Sequence, residues 1–408
     1  MIALARITLS IFVFALPFGA FHLSTIAAVL LVVVGGTLLR QQFDVRHLFF
    51  VYERRWMFVA LFAFLFFVTI SLAFASSLSL AIFATARLLL AIVAGASAAY
   101  VIGRGLVTLD FVFGAIVASA VFQSIVAFLQ FASQSSLGLW WLGESVLSSD
   151  APGVAKIVVE GVRFIRAYGT FPHPNVLAAF LLVGLVALAF LFFKKTSRFL
   201  LPTFYFLLLL GLLLTFSRAA WIICVLLFVV IAWWAMRYRE QGTGYRGQWV
   251  LTILGSLVVL VTIFYPFIFA RSSLSLDEPA IADRIQYLRL GVDIVVRRPF
   301  GVGIGNQVLY ATQHDLYGAA GLLAPWQREP IHNLYLLIAS EIGVFGLIAF
   351  CMLIGAVFMV KSETLKVERF FVALMLGALL LFGFTDHFLW DVAPGRLLLW
   401  FLIGLALA

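Results

Sequence analysis

Apolar runs close to the roughly 20 residues needed to cross a bilayer recur from one end of this chain to the other. They lie near 7–21, 23–39, 56–75, 79–102, 106–131, 174–193, 199–216, 219–236, 249–270, 333–360, 368–385 and 393–408. A chain of 408 residues with 43 Phe, 64% hydrophobic and only 11% charged, has no soluble counterpart at ordinary composition. The expectation is an all-α integral membrane protein with about twelve transmembrane helices. The first two runs are short and can also pack as a re-entrant pair. Residues 1–21 carry one arginine and no small-x-small cleavage site, so they read as the first span and not as a signal peptide. Two polar interruptions, 132–172 and 271–332, divide the chain into helical blocks at 1–131, 173–270 and 333–408. The second is expected to be a large extracytoplasmic loop carrying short surface helices and the catalytic groups.

Orientation follows from lysine and arginine in the short loops. With the N-terminus inside, the cytoplasmic face receives Arg6, Arg40, Arg46, Arg54, Arg55, Arg104, Lys194, Lys195 and Arg198. Arg237, Arg239, Arg246, Lys361, Lys366 and Arg369 fall on the same side. The net charge of +9 is therefore a topological signal and not a nucleic-acid footprint. The same assignment gathers Arg166, His173, Arg218, Arg284, Arg289, His332 and Asp386 on the opposite face, where long loops escape the charge rule. Cys224 and Cys351 sit inside apolar runs and report nothing on redox compartment. No internal repeat of the transporter kind is visible.

Each polar group has a bland and a sharp reading. Arg218 stands between two spans, where a charged side chain costs roughly 2.5–3.5 kcal/mol at full depth and less near the interface. It either snorkels or lines an anion-binding cavity, and its isolation from the basic clusters favours the cavity. Residues 284–298 read as a surface helix, with Asp283 as N-cap and Pro299 as stop. Ile285, Leu288, Val292 and Val295 form its apolar stripe. Arg284 has no acid four residues on and suits bidentate contact with phosphate, whereas Arg289 can pair with Asp293. Arg297 and Arg298 read as contacts to lipid headgroups or Asp293. His332 can take a proton from a hydroxyl or donate one to phosphate. Asn333 beside it can hydrogen-bond a polar ligand. Glu341, about two turns into a span, is either a buried arginine partner or an orienter.

Gly301-Val302-Gly303-Ile304-Gly305 lacks the flanking strand of a dinucleotide site. Gly303 and Gly305 read as a tight turn whose N–H groups can approach an anion. Tyr168 to Asn175, with His173 between two prolines, reads as a rigid helix start near Arg163 and Arg166. Asp386, His387 and Asp391 are the one grouping of His and carboxylates at ligand spacing with a third ligand close by, and a dedicated metal site is not expected. No cofactor is expected.

Taken in order, Gly169–Asn175, Ser217-Arg218-x-x-Trp221, Arg284 with Pro299–Gly305, and His332-Asn333 followed by Glu341, Gly343 and Gly346 resemble the bacterial O-antigen ligase and polymerase superfamily. The likeness covers roughly residues 165–350. Where the family commonly has Trp four residues after the helix arginine, this chain has Leu288, with Tyr287 one place earlier. The resemblance implies a metal-independent glycosyltransferase in the bacterial cytoplasmic membrane, acting in cell-surface polysaccharide biosynthesis. Its donor would be a glycan on a polyprenyl-diphosphate carrier and its acceptor a hydroxyl on a lipid or glycan. It further implies that Arg218 and Arg284 hold the diphosphate and that His332 activates or positions the acceptor. Arg289, Arg166, His173, Asn333, Glu341, Gly303 and Gly305 would complete the substrate site. A polymerase that extends the lipid-linked glycan fits the same residues. A flippase for a lipid-linked anion is the competing class, although it should spread its charges through the membrane depth.

Overall fold

The computed structural model describes residues 2–18, 23–41, 55–194, 201–237, 246–272, 279–360 and 366–408. Arg46, Arg54, Lys195, Arg198, Arg239 and Lys361 of the basic set, and residues 273–278 of the second polar stretch, lie outside them.

The described residues form a helical protein with one two-stranded hairpin. Its first part comprises α1 (Ile2–Ala15), α2 (Leu23–Gln41), α3 (Arg55–Ser71), α4 (Leu78–Gly103) and α5 (Leu109–Ser133). The hairpin, β1 (Lys156–Val159) and β2 (Val162–Ile165), follows. Next come α6 (Pro174–Phe193), α7 (Leu201–Leu214), α8 (Arg218–Arg237), α9 (Arg246–Ile263) and α10 (Tyr265–Ser272). A segment of smaller helices contains α11 (Pro279–Arg297), α12 (Gln307–Gln313) and α13 (Leu316–Ala319). The chain closes with α14 (Leu334–Met359), α15 (Lys366–Phe382) and α16 (Ala393–Leu407).

Six helices, α3 with its following turn, α4, α5, α6, α8 and α14, are long and apolar enough to cross a membrane. A seventh crossing results if α9 and α10 count as one span. Shorter apolar helices occupy Ala3–Ala15, Thr25–Thr37, Pro202–Leu214 and Ala393–Leu407. The centre is α6, with 89% of its apolar window buried against α5, α7 and α15. A helix apolar on every face belongs in such a position. His173 caps its N-terminus, its ring accepting the Asn175 N–H at 3.1 Å, with Pro174 in the first turn. Along one flank α3 packs on α14, and α4 on α16. The α4–α16 crossing depends on glycine: a Cβ on Gly95 would come 2.2 Å from the Trp400 carbonyl oxygen.

Three expectations change. The run 249–270 is not one straight helix, because α9 and α10 meet at 82°. Pro266, at the start of α10, cannot donate to the preceding turn and its ring crowds that turn's carbonyl. The surface helix begins at Pro279 and not at Asp283, and it buries a different face. Tyr287, Leu290 and Ile294 are buried, while Leu288 and Val292 of the expected stripe are 40% and 53% exposed. Gly291 sets this rotation, since a Cβ there would lie 2.6 Å from Leu336 of α14. Finally, the first polar stretch contains the hairpin. Its two-residue loop, Glu160-Gly161, has φ of 50° and 82°, the handedness that suits twisted antiparallel strands.

The feature that places the site is a break in α14 at Gly343, where φ is 83° and ψ 167°. The Pro299–Gly305 turn inserts there. Val302 N–H donates to Ser340 O, Gly303 N–H to Glu341 O and Val344 N–H to Pro299 O, each at 2.9 Å. Gly303 itself has φ +94°, and a Cβ on it would lie 2.5 Å from the Ala75 Cα. Gly303→Ala should therefore lower the thermal midpoint in detergent, by strain on the order of 1–3 kcal/mol. Gly377→Ala, where a Cβ meets nothing within 4 Å, should not lower it. Equal midpoints for wild type and Gly303→Ala would remove the turn from the structural core.

Candidate functional site

Glu341 is held within the bundle by N–H groups and not by an arginine. Its Oε2 accepts from Gly305 N–H at 2.8 Å and from Trp390 Nε1 at 2.7 Å. Its Oε1 accepts from Gln307 N–H at 3.4 Å. The Gly303 and Gly305 N–H groups, expected to face an anion, are therefore both spent on Glu341. The turn is also tied to α4, because Asn306 Oδ1 accepts the Ser77 N–H at 2.7 Å.

His332 lies just ahead of α14. Asn333 is the N-cap: its Oδ1 accepts Leu336 N–H at 2.9 Å, and its Nδ2 donates to Phe384 O at 3.0 Å. Both polar ends of Asn333 thus hold backbone. The His332 ring stacks on Tyr287 at 4.9 Å and 20°, and meets His387 edge-on at 4.9 Å. Its Nδ1 is 3.0 Å from the Pro330 carbonyl oxygen, which only accepts. Nδ1 therefore carries the proton and Nε2 keeps a lone pair. The Glu329 carboxylate is 3.4 Å from Nε2. Burial, helped by the His387 and Arg284 charges and opposed by Asp386, pushes His332 down to about 4. At neutral pH the ring is uncharged and able to accept a proton at Nε2.

Behind His332 lies a chain of buried polar groups. Arg166 donates from Nε to Thr215 O at 2.6 Å and from a terminal nitrogen to Asn175 Oδ1 at 2.9 Å. Asn175 Nδ2 then donates to Asp386 Oδ2 at 2.8 Å, and Asp386 Oδ1 accepts the His387 N–H at 2.8 Å. His387 Nδ1 lies 2.9 Å from both oxygens of Asp391. Burial works against ionised Asp386, yet the facing charge of His387 and the Asn175 hydrogen bond hold it below the usual carboxylate range. Burial likewise opposes a charged His387, but Asp391, Asp386 and Glu329 outweigh it and raise the ring to about 9. His173 is pushed down to about 3, chiefly by burial, so it is neutral. Burial beside Arg271 and Arg284 lowers Arg166 to about 9. Among the described residues no group of three or more His, Cys, Asp or Glu side chains is arranged to hold a metal ion. Asp386, His387 and Asp391 bond to one another instead.

The structure thus draws Arg166, His173, His332 and Asp386 together with Asn175 and His387. Arg284, half-buried on α11, makes no hydrogen bond or ion pair with a described residue, and its charge reaches His332 and His173. Arg218 heads α8, directly after the turn whose Thr215 carbonyl takes Arg166. The Trp221 indole N–H in the next turn is buried without a partner among the described residues. Arg289 stays outside the cluster and exposed; Asp293 pairs with Arg297 at 2.7 Å. Three participants were not singled out from sequence. Arg271 grips the Phe216 carbonyl at 3.2 Å, Tyr287 stacks on His332, and Glu329 faces Nε2.

The raised His387 gives a signed pH dependence. Its folded-state value near 9 exceeds the ordinary 6.5, so its stabilisation is complete below about 6.5 and fades as pH rises through 9. The midpoint difference between wild type and His387→Gln should be larger at pH 6.5 than at pH 9.5. A difference that stays constant or grows over that window would mean that His387 is not the charged partner.

No curated protein sequence matches the chain. The family model described as O-Antigen ligase matches residues 203–351, less than half of the chain. That segment contains Arg218, Arg284, the glycine turn, His332 and Glu341, while Arg166 and His173 precede it. An O-antigen ligase domain at 203–351 supports the O-antigen ligase and polymerase superfamily for this multi-pass chain, and with it a glycosyltransferase-type function in polysaccharide biosynthesis.

Proposed function

We propose that the protein transfers a glycan from a polyprenyl-diphosphate carrier to an acceptor hydroxyl at the extracytoplasmic face of the bacterial cytoplasmic membrane. The observation that carries the reading is His332, uncharged, with Nε2 left as an acceptor and with Arg284, which makes no ion pair with a described residue, within electrostatic reach. In the reaction the acceptor O–H gives its proton to His332 Nε2, and the oxygen attacks the anomeric carbon from the face opposite the diphosphate. The new C–O bond forms as the bond to the diphosphate breaks, and the electron pair leaves on phosphate oxygen. The configuration inverts. Arg218 and Arg284 meet the charge that develops there, the kind of fixed electrostatic stabilisation that dominates in a water-poor site. Glu329 and Asp386 stabilise the imidazolium formed on His332. Arg166 and His173 act by holding Asn175 and Asp386, and Glu341 by holding the glycine turn. On this reading the shorter apolar helices and α15 also cross the membrane, giving about twelve spans.

The test uses purified protein in detergent, a polyprenyl-diphosphate-linked glycan and a panel of lipid and glycan acceptors. His332→Ala, Arg218→Ala and Arg284→Ala should each reduce transfer by roughly a hundred-fold or more, with folding checked by thermal midpoint. The productive acceptor separates a ligase from a polymerase. Donor carried across reconstituted vesicles without any transfer would instead make the protein a transporter. The pH profile supplies a further check. The rising limb of kcat/KM should lie near 4, where burial puts His332, and not near 6.5. A limb at 6.5 that survives His332→Ala would assign the base elsewhere.

A further inference from the structure

A second group of arginines lies away from His332. A cavity of about 260 Å³ opens between α4, the glycine turn and the start of α16, with Arg87 and Arg396 among its lining residues. The crossing of α4 and α16 at Gly95 and Gly404 sets the two arginines at matching levels of their helices, since each stands about two turns before its own helix's glycine. The Asp391–His387 pair separates the cavity from the His332 ring.

The cavity's carboxylates are already engaged. Both Asp391 oxygens face His387 Nδ1, and Glu341 accepts from Gly305, Gln307 and Trp390. The guanidinium groups are not. Arg396 is buried and uses a single donor, to Trp390 O at 2.9 Å. Half-buried Arg87 lies over the Phe83 ring at 5.3 Å and makes no hydrogen bond or ion pair with a described residue. A guanidinium presents a planar fork of N–H donors that matches phosphate oxygens. Two such forks facing one cavity repel each other; Asp391 and Glu341 attract them across it but commit their oxygens elsewhere, and an anion would supply the missing acceptors. The approach to this cavity is apolar. Leu80 and Phe83, which also line it, are 44% and 57% exposed on a helix long and apolar enough to span. An apolar mouth of this kind favours an anion that carries an acyl chain.

We propose that the Arg87–Arg396 cavity binds the phosphate group of a lipid entering sideways from the bilayer. The assignment concerns binding alone and stands whether or not His332 carries transfer chemistry. It is tested without any glycan donor. Delipidated protein in a neutral detergent is titrated with dioleoyl phosphatidic acid, dioleoylglycerol or glycerol 3-phosphate, and bound molecules are counted by native mass spectrometry. Phosphatidic acid should bind wild type, and Arg87→Gln should weaken it roughly ten- to a hundred-fold, as expected for a lost charge-assisted hydrogen bond. Arg87 holds no backbone group, so this variant tests the site without the folding risk of Arg396→Gln. Arg163→Gln, on the exposed hairpin, should bind as wild type does. Equal binding by wild type and Arg87→Gln overturns the site. Dioleoylglycerol bound as tightly as phosphatidic acid makes it an apolar groove without phosphate recognition. Glycerol 3-phosphate bound as tightly overturns lateral entry of a lipid.

Discussion

The peptide groups freed where α14 breaks at Gly343 must find partners inside an apolar bundle, and the Pro299–Gly305 turn supplies them. In lipid such groups cannot fall back on water, so a broken helix persists only where protein pairs its backbone. Val302, Gly303 and Val344 make those bonds, and Glu341, about two turns from His332's end of the helix, adds Gly305, Gln307 and Trp390. One break therefore joins three segments distant in sequence. The end of α11 is fixed by the turn that follows it, the head of α14 carries His332, and Trp390 holds the loop that carries Asp386 and His387. Arg284, His332 and Asp386 inherit their relation from that joint. Replacing Gly343 by any other residue would bring a Cβ within 2.8 Å of the Phe300 backbone, which is why the joint is built on glycine.

Charge in the cluster is settled by numbers of partners. Three histidines surround Asp386, and burial disfavours the charged form of every one. Of the three, His387 alone hydrogen-bonds a carboxylate through its ring, Asp391 at 2.9 Å, and it alone is held charged. That leaves His173 and His332 neutral and gives Asp386 one cationic partner on one side and the Asn175 amide on the other. Arg166, which donates to Thr215 and Asn175, is linked to Asp386 through the Asn175 amide. Removing one member would strand the next in a medium where an unpaired buried charge is costly, so the set behaves as a unit.

Much of this was legible in the sequence, for identifiable reasons. Apolar runs report helices because length and composition suffice, and Pro174 and Pro299 marked a helix start and a stop because proline constrains its neighbours locally. The break at Gly343 was invisible, since a glycine within an apolar run differs in nothing from one that packs a helix crossing until its partner is known. The face of α11 was misjudged for a related reason. Its sequence carries two apolar stripes, one through Leu288 and Val292 and one through Tyr287, Leu290 and Ile294, and periodicity cannot rank them. Leu336 against Gly291 decides. For the site, residue type alone picked out His332, Arg166, Asp386 and Glu341, all polar groups in apolar surroundings. It could not reveal that Glu341 accepts N–H donors in place of an arginine, nor that Arg271 grips the Phe216 carbonyl, because those partners lie far along the chain.

The neutrality of His332 poses a problem that the proposed reaction itself resolves. A ring held near 4 is a weak base for a sugar hydroxyl. After burial, two of the contributions that lower it are the His387 and Arg284 charges. A diphosphate held by Arg284 would cancel that arginine's effect and add negative charge within reach of the ring, and a nearby anion favours the imidazolium. Donor binding would then strengthen the base that the acceptor needs, so that proton removal follows occupation of the diphosphate site. The tautomer keeps this directional. With Nδ1 committed to the Pro330 carbonyl, only Nε2 can gain the proton, on the side that faces Glu329. Tyr287, one place before Leu288, stacks on the ring and on the proposed reaction would keep its plane fixed while that proton arrives.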